Sequence, residues 1–224
     1  MYFYFPYIQS NKITPEYSRH FFSCRVKSHD IVHVTDLKGN LSKIELVDVN
    51  KKTFNITIKT IETRHYPKDK TSKILLQALP EKLYMEKLFE IAPLADIQKI
   101  VIFSSDFSQK QSIPLQRLEN ILIRSCEQGQ IVWKPEIQIV SNKKELENII
   151  KDLSPVVLEV QEDKIPKHVS VKKDTDKLSV LIGPEGGWSE NEISFFKQQD
   201  LEFANLGKMV YPSWLAGFVW FVNL

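Results

Sequence analysis

Leu181-Ile182-Gly183-Pro184-Glu185-Gly186-Gly187-Trp188-Ser189-Glu190-Asn191-Glu192-Ile193 is the stretch around which the chain is organised. It holds three of the seven glycines in 224 residues. The apolar run Leu178 to Ile182 leads into it and reads as a strand. Ser189 is placed as an N-cap, and Glu192, three residues on, completes a capping box, so a helix starts there. The order is strand, Gly-rich turn, helix N-terminus. Glycine lets a ligand approach the backbone closely and permits positive φ. The first turn of a helix offers N–H groups without intrahelical partners. Such a stretch is either a ligand-binding loop in an α/β sheet or a tight structural turn, and its own residues leave both open.

The surrounding sequence supplies the sheet. From Ile74 onward, short apolar runs alternate with helical patterns. Strands are expected at Ile74 to Leu79, Lys99 to Phe103, Glu136 to Val140, Pro155 to Val160, Leu178 to Ile182 and Phe203 to Leu206. Helices are expected at Glu81 to Ala92 (with Leu83, Leu88 and Ile91 inward), Leu115 to Gln128, from a Ser141 cap to about Asp152, Ser189 to Gln199, and from near Pro212. Apolar strands alternating with helices imply a parallel sheet covered on both faces.

Residues 1–73 have a different rhythm. Phe21-Phe22, Ile31 to Val34, Ile44 to Val47 and Phe54 to Ile58 read as short strands, separated by turn formers at Lys38-Gly39-Asn40 and Asp48-Val49-Asn50. Short strands at regular spacing make a small barrel. Thr63 to Ser72, polar and holding Pro67, is the expected linker. Residues 1–73 carry 13 Lys/Arg against 7 Asp/Glu, whereas 74–224 carry 17 against 21. A basic module ahead of a mildly acidic body suits a polyanionic partner.

Several classes are excluded. At 42% hydrophobic and 11% aromatic residues, the chain can build a core and is not a disordered segment. Cys24 and Cys126 form no CxxC, which argues against a disulfide framework or zinc site. His29 and His33 are four apart in strand-like sequence, where that spacing does not make a metal pair. No metal is expected. Met1 to Pro6 lacks the basic and apolar regions of a signal peptide, and Trp214 to Val222 is too short to span a bilayer. A cytoplasmic protein with no membrane association is expected. There is no G-x-G-x-x-G after a strand, no P-loop and no G-x-S-x-G elbow.

The run Leu181 to Gly187, followed by Ser189 and Glu192-Ile193, resembles the signature of the small-subunit ribosomal RNA methyltransferase E family, in the SPOUT superfamily. Weaker matches lie in the same order. His20 to Asp36, with Arg25 and Asp30, resembles the family's N-terminal PUA-like barrel. Glu127-Gln128 with Pro135-Glu136-Ile137 resembles its central helix and next strand, and Leu206-Gly207 the start of its third knot motif. The resemblance implies an α/β fold class: a PUA-like β-barrel over residues 1–70, then a SPOUT domain over 71–224 with a parallel sheet and a trefoil knot. It implies S-adenosyl-L-methionine as cofactor, N3 of a uridine in small-subunit ribosomal RNA as methyl acceptor, and a homodimer. Mapped onto this sequence, the cofactor residues are Leu158, Ile182, Gly183, Pro184, Glu185, Gly186, Gly187, Leu206, Gly207, Val210 and Tyr211, and the RNA-binding residues are Arg25 and Lys27.

The chain departs from that family where charge is expected. The third motif continues Leu-Arg-x-Glu-Thr in the family, but here Pro212 stands for the arginine and Trp214 for the glutamate. Ile131 replaces an arginine after the Glu-Gln pair, Leu158-Glu159-Val160 a Leu-His-Pro segment, and Leu94-Ala95-Asp96 a Glu-Leu-Gly. Methylation at N3 removes the imino proton and leaves charge on the ring, which a cation would stabilise. Pro212 supplies no charge and no N–H. Glu185, Lys208, Tyr211 and Arg124 are the alternative bases or cations, and no catalytic residue is assigned. The open outcomes are an active methyltransferase of the family's specificity, a related methyltransferase with a shifted RNA target, or an RNA-binding relative that kept the fold and lost turnover. Trp214, Phe218, Trp220 and Phe221 make the last helix bulky and apolar, which suits packing against the knot or a partner subunit; the sharper alternative is that Tyr211 and Trp214 reshape or fill the cofactor pocket.

Overall fold

The computed structural model describes residues 2–160 and 177–223, which group into two compact units. One runs to Lys68 and takes in Leu122–Lys134; the other holds Asp69–Ile121 and Pro135 onward.

The first unit is built from β1 (Phe3–Tyr4), β2 (Lys12–Ile13), α1 (Pro15–Ser23), β3 (Ile31–Thr35), β4 (Asn40–Asn50) and β5 (Asn55–His65). Its sheet runs β1-β3-β4-β5-β2. Phe3 and Phe5 near one edge and Ile13 at the other join a single core with Val34, Ile44, Leu46 and Ile56, so the sheet curls around that core. Register shifts in the β4–β5 ladder, at Lys43/Ile44 and Leu46/Asp48, add the bend that curling needs. Phe21-Phe22 is helical, not a strand. Pro15 starts α1 at a position where a missing N–H costs nothing, and Phe21 packs into the sheet's core. Asp48 to Asn50 belongs to β4, and Thr63 to His65 to β5, so both the expected turn and the expected linker start later.

Glu127, on the stretch that α3 (Leu115–Gly129) contributes, belongs to this unit's framework. Its buried carboxylate accepts from the Tyr4 N–H at 2.7 Å and contacts His20 Nδ1 at 3.0 Å. Its carbonyl accepts from the Tyr2 N–H. Cys126 beside it is a free thiol, and burial pushes its pKa up to about 12.

The second unit holds β6 (Ser72–Ala78), α2 (Lys82–Ile91), β7 (Lys99–Phe103), the first half of α3, β8 (Glu136–Ile139), α4 (Lys143–Leu153), β9 (Val156–Leu158), β10 (Lys177–Ile182), α5 (Glu190–Gln198), β11 (Phe203–Ala204) and α6 (Ser213–Val222). The sheet order is β11-β9-β10-β6-β7-β8, with every pair parallel. One register row, Val157–Leu181–Leu76–Val101, faces the core formed with Ile150 of α4 and Phe196 of α5. α6 packs against β6, β10 and α2. Apolar runs without polar alternation are therefore covered on both faces, as parallel strands require.

Local corrections follow from side-chain geometry. α2 buries Met85, Leu88 and Phe89, while Leu83 is exposed. Leu83 precedes Leu88 by five residues, which puts it off the face that i, i+3 and i+4 spacing defines. Asn142, not Ser141, caps α4, its side chain accepting from the Glu145 N–H. Ser189 and Glu192 form the expected capping box on α5. Among the described residues no helix is long and apolar enough to cross a membrane, and no group of three His/Cys/Asp/Glu could hold a metal.

Candidate functional site

A cavity of about 480 Å³ opens beyond the carboxyl ends of β9, β10 and β11, where open parallel sheets place their ligands. It is lined by 158–160 at the end of β9, 182–188 at the end of β10, 205–207 and 209–213 from β11 to the start of α6, and Ala216 of α6. All eleven residues mapped as cofactor contacts lie on its wall: Leu158, Ile182, Gly183, Pro184, Glu185, Gly186, Gly187, Leu206, Gly207, Val210 and Tyr211. Arg25 and Lys27 lie elsewhere. Both are exposed in the α1–β3 loop of the first unit, and the Lys27 N–H donates to Asp30 Oδ2 at 2.7 Å.

The Gly-rich turn is held rigidly from two sides. Trp188 donates through Nε1 to the Leu158 carbonyl at 3.0 Å, tying the 182–188 wall to the 158–160 wall. Its ring stacks on Phe103 and meets Phe196 edge-on. A Cβ on Gly183 would lie 3.1 Å from that ring, so the turn uses glycine's lack of bulk.

On the other side, Gln77 Nε2 reaches Ser213 Oγ at 2.9 Å and the Gly183 carbonyl at 3.4 Å, and Ser213 Oγ donates to the same carbonyl. Gln77 is fully buried, in register between Ile182 and Ile102. Sequence reading missed it, although a lone amide inside the apolar run from Ile74 to Leu79 was the available signal. A buried polar side chain needs partners; the Gln77 amide nitrogen finds them in the Ala78 carbonyl, the Gly-rich turn and the start of α6, while its Oε1 is buried with no hydrogen-bond partner among the described residues. Gln77→Leu, nearly isosteric, removes these donors from the buried carbonyls. It is expected to lower the thermal unfolding midpoint by roughly 2–8 °C in circular dichroism melts. An unchanged midpoint would mean the amide ties nothing together.

Of the four alternative bases or cations, Glu185 and Tyr211 line the cavity. Both Glu185 carboxylate oxygens accept from the Glu81 N–H, at 3.2 and 3.3 Å, at the N-cap of α2. Glu185 thus sits at the start of another helix rather than of its own. Lys208 is exposed and not among the lining residues, and Arg124 is exposed on α3 in the first unit. Trp214 does not reshape the cavity. It is not among the lining residues; its ring stacks on Tyr84 of α2, and the Lys87 ammonium lies 5.5 Å from it. Pro212 does line the wall. Among the described residues, the cavity's charged lining residues are Glu159 and Glu185, with no Lys, Arg or His. Such a wall favours a ligand that carries positive charge.

Known proteins are similar to this chain in sequence and fold. The family model described as an RNA methyltransferase domain matches residues 67–211. Ribosomal RNA small subunit methyltransferase E of Helicobacter pylori strain J99 is 30% identical over 184 residues, covering 80% of this chain and 78% of that protein. Its counterpart from strain 26695 is 30% identical over 196 residues, 85% of this chain and 83% of that protein. Among solved structures, a Ribosomal RNA small subunit methyltransferase E from Neisseria gonorrhoeae bound to S-adenosyl methionine superposes with a TM-score of 0.86 at 18% identity, over 99% of this chain and 95% of that one.

Proposed function

The chain belongs to the family of ribosomal RNA small subunit methyltransferase E, and from that premise we propose that it transfers the methyl of S-adenosyl-L-methionine to N3 of a uridine in small-subunit ribosomal RNA. The observation that carries this reading is the cavity itself. Its 480 Å³ lies in the range of small-molecule sites. Its wall is mostly apolar with a glycine turn, which suits a flat nucleoside and close backbone contacts. Glu159 and Glu185, the charged lining residues among those described, suit a sulfonium. The residues present therefore fit the cofactor, with 182–187, 206–207, 210–211 and Leu158 holding it. When bound, it supplies a methyl already activated on positively charged sulfur.

The protein's own share is positioning and one proton. Gln77 and Ser213 fix the Gly183 carbonyl, and Trp188 fixes the opposite wall. Alignment of this kind is what methyl transfer chiefly requires. The N3 proton goes to the Glu185 carboxylate, or is relayed by the Tyr211 hydroxyl, which releases its own proton to water as it takes this one; these are the two of the four alternatives that line the cavity. The same reading includes a homodimer and a C-terminal trefoil knot. β11 lies outside β9 while α6 returns to β6 and β10, and this path supports the knot. Residues 161–176 lie outside the described residues.

One observation favours a second reading, in which the cofactor binds but turnover is lost: Pro212 stands in the wall, and among the described residues no lining cation faces the anion that forms at N3. Calorimetry with S-adenosylmethionine, followed by labelled methyl transfer to undermethylated small subunits, decides between them. Binding with transfer supports the enzyme, binding without transfer supports the silent relative, and no binding at millimolar cofactor removes both.

Arg25 and Lys27 are proposed as RNA contacts through phosphates. Arg25→Glu is expected to weaken RNA binding and to reduce the slope of log affinity against log salt by about one, with cofactor affinity unchanged. Filter binding across a salt series reads this directly, and an unchanged slope would move the docking surface away from the α1–β3 loop.

A further inference from the structure

Phe107 is 55% exposed, although its ring has no polar atom. It is not stray surface. A Cβ on Gly186 would lie 3.2 Å from Phe107 Cβ, so this side chain abuts the Gly-rich turn. The turn that carries it is fixed. The Ser105 N–H donates to Ser108 Oγ at 3.1 Å, and the Ser108 N–H donates to the Ser105 carbonyl at 3.1 Å. The Asp106 N–H donates to Glu192 Oε1 at 3.2 Å, and Ser189 Oγ donates to Asp106 Oδ2. The capping box of α5 thus anchors the turn next to the aromatic ring. Phe107 is not itself a lining residue of the cavity, but the Gly186 it abuts is, and Val160, Met209 and Val210, each more than 60% exposed, are apolar lining residues there. Exposed apolar groups from separate segments that gather at one opening mark a binding surface.

Resting on the reading above, we propose that Phe107 is the stacking platform for the target pyrimidine at the cavity rim, and so a substrate-positioning residue of this chain. N3 lies on the base-pairing edge, so the target base must leave its pair and stack before that edge can meet a cofactor. A base out of its helix needs an apolar surface against its face, and an aromatic ring held by a pinned turn supplies one with little ordering cost. Trp188 is not available for this: its ring is stacked on Phe103 and its Nε1 is bonded to Leu158.

The test uses the full chain with Phe107→Ala and Phe107→Tyr. In transfer to undermethylated small subunits, Phe107→Ala is expected to lower kcat/KM at least about fivefold, with Phe107→Tyr close to the parent. Cofactor affinity by calorimetry and the unfolding midpoint stay unchanged in both. A labelled single-stranded oligouridine, followed by anisotropy, is expected to bind Phe107→Ala correspondingly more weakly, and this arm reads the proposal even in a protein that does not turn over. Failure of transfer in the parent protein counts against the enzymatic reading, while oligouridine affinity still decides the role of Phe107. Equal oligouridine affinity in the parent and Phe107→Ala overturns the stacking role. So does a Phe107→Ala protein whose defect is a shifted monomer–dimer equilibrium in sedimentation.

Discussion

Gly39→Val is expected to lower the unfolding midpoint of the first unit by about 10 °C or more, the largest stability effect of any single substitution considered for that unit. Gly39 has φ +91°, a backbone conformation that a β-branched residue adopts only with strain of about 1–3 kcal/mol. Steric conflict adds to that. A Cβ here would lie 2.7 Å from Trp133 Cε2, closer still to Cζ2, and 2.8 Å from the Tyr66 carbonyl oxygen. Neither neighbour can give way. The Trp133 Nε1 donates to that same carbonyl at 3.0 Å, His65 meets the ring edge-on, and the Lys68 ammonium lies 5.4 Å from its centroid. The Gly39 N–H donates to Val132 and its carbonyl accepts from the Tyr66 N–H, both at 2.8 Å, so the turn cannot swing away. Overpacking of this kind costs about 1–3 kcal/mol beyond the strain. Circular dichroism melts would show the shift, with Lys38→Ala at the neighbouring position as a near-neutral control. Equal midpoints for Gly39→Val and Lys38→Ala would mean that Trp133 does not close over the turn.

That turn illustrates which parts of the fold the sequence carries. Lys38-Gly39-Asn40 is legible as a turn because glycine and asparagine tolerate its backbone. Nothing local announces Trp133, which arrives from a segment more than ninety residues later. The parallel sheet is legible for a related reason: runs such as Lys99 to Phe103 lack polar alternation, and only a strand covered on both faces needs that. α1 is not legible from Phe21-Phe22, because paired aromatics carry strand propensity and the helix is decided by Pro15 and by burial of Phe21 in the curled sheet. β1 and β2, two residues each, have no room for a periodic signal.

The site divides in the same way. Residues 182–187 are contiguous, so one motif reveals most of one wall. Leu206, Gly207, Val210 and Tyr211 follow from resemblance alone. Glu159, Trp188, Asn205, Pro212 and Ser213 join the wall through topology, since β9, β10 and β11 end side by side. Gln77 is 106 positions from the carbonyl it reaches. Trp214 shows the converse. A replaced charge in a motif suggests a remodelled pocket, yet the indole turns to Tyr84 because α6 packs on α2.

The largest functional effect is expected from Gly183→Val: no detectable binding of S-adenosylmethionine in calorimetry, together with a midpoint lowered by roughly 2–12 °C. The three glycines of the turn are not equivalent. A Cβ on Gly186 meets one neighbour, Phe107 Cβ at 3.2 Å, on an exposed residue outside the Trp188 packing. Gly187 has φ +74° but open space around its Cβ position, so Gly187→Asn costs only conformation, about 1 kcal/mol for a residue that tolerates the left-handed region. Gly183 faces the Trp188 ring at 3.1 and 3.3 Å, and Phe103, Phe196 and the Leu158 carbonyl hold that ring in place. The backbone must therefore move instead. Its carbonyl is held by Gln77 and Ser213, so movement breaks those bonds and displaces the cavity wall. Gly183→Val and Gly187→Asn, measured side by side, separate a packing requirement from a conformational one. Strong loss in the first with binding retained in the second is the expected result. Equal loss in both would place the requirement in backbone conformation, and retained binding in both would make the turn a connector rather than a wall of the site.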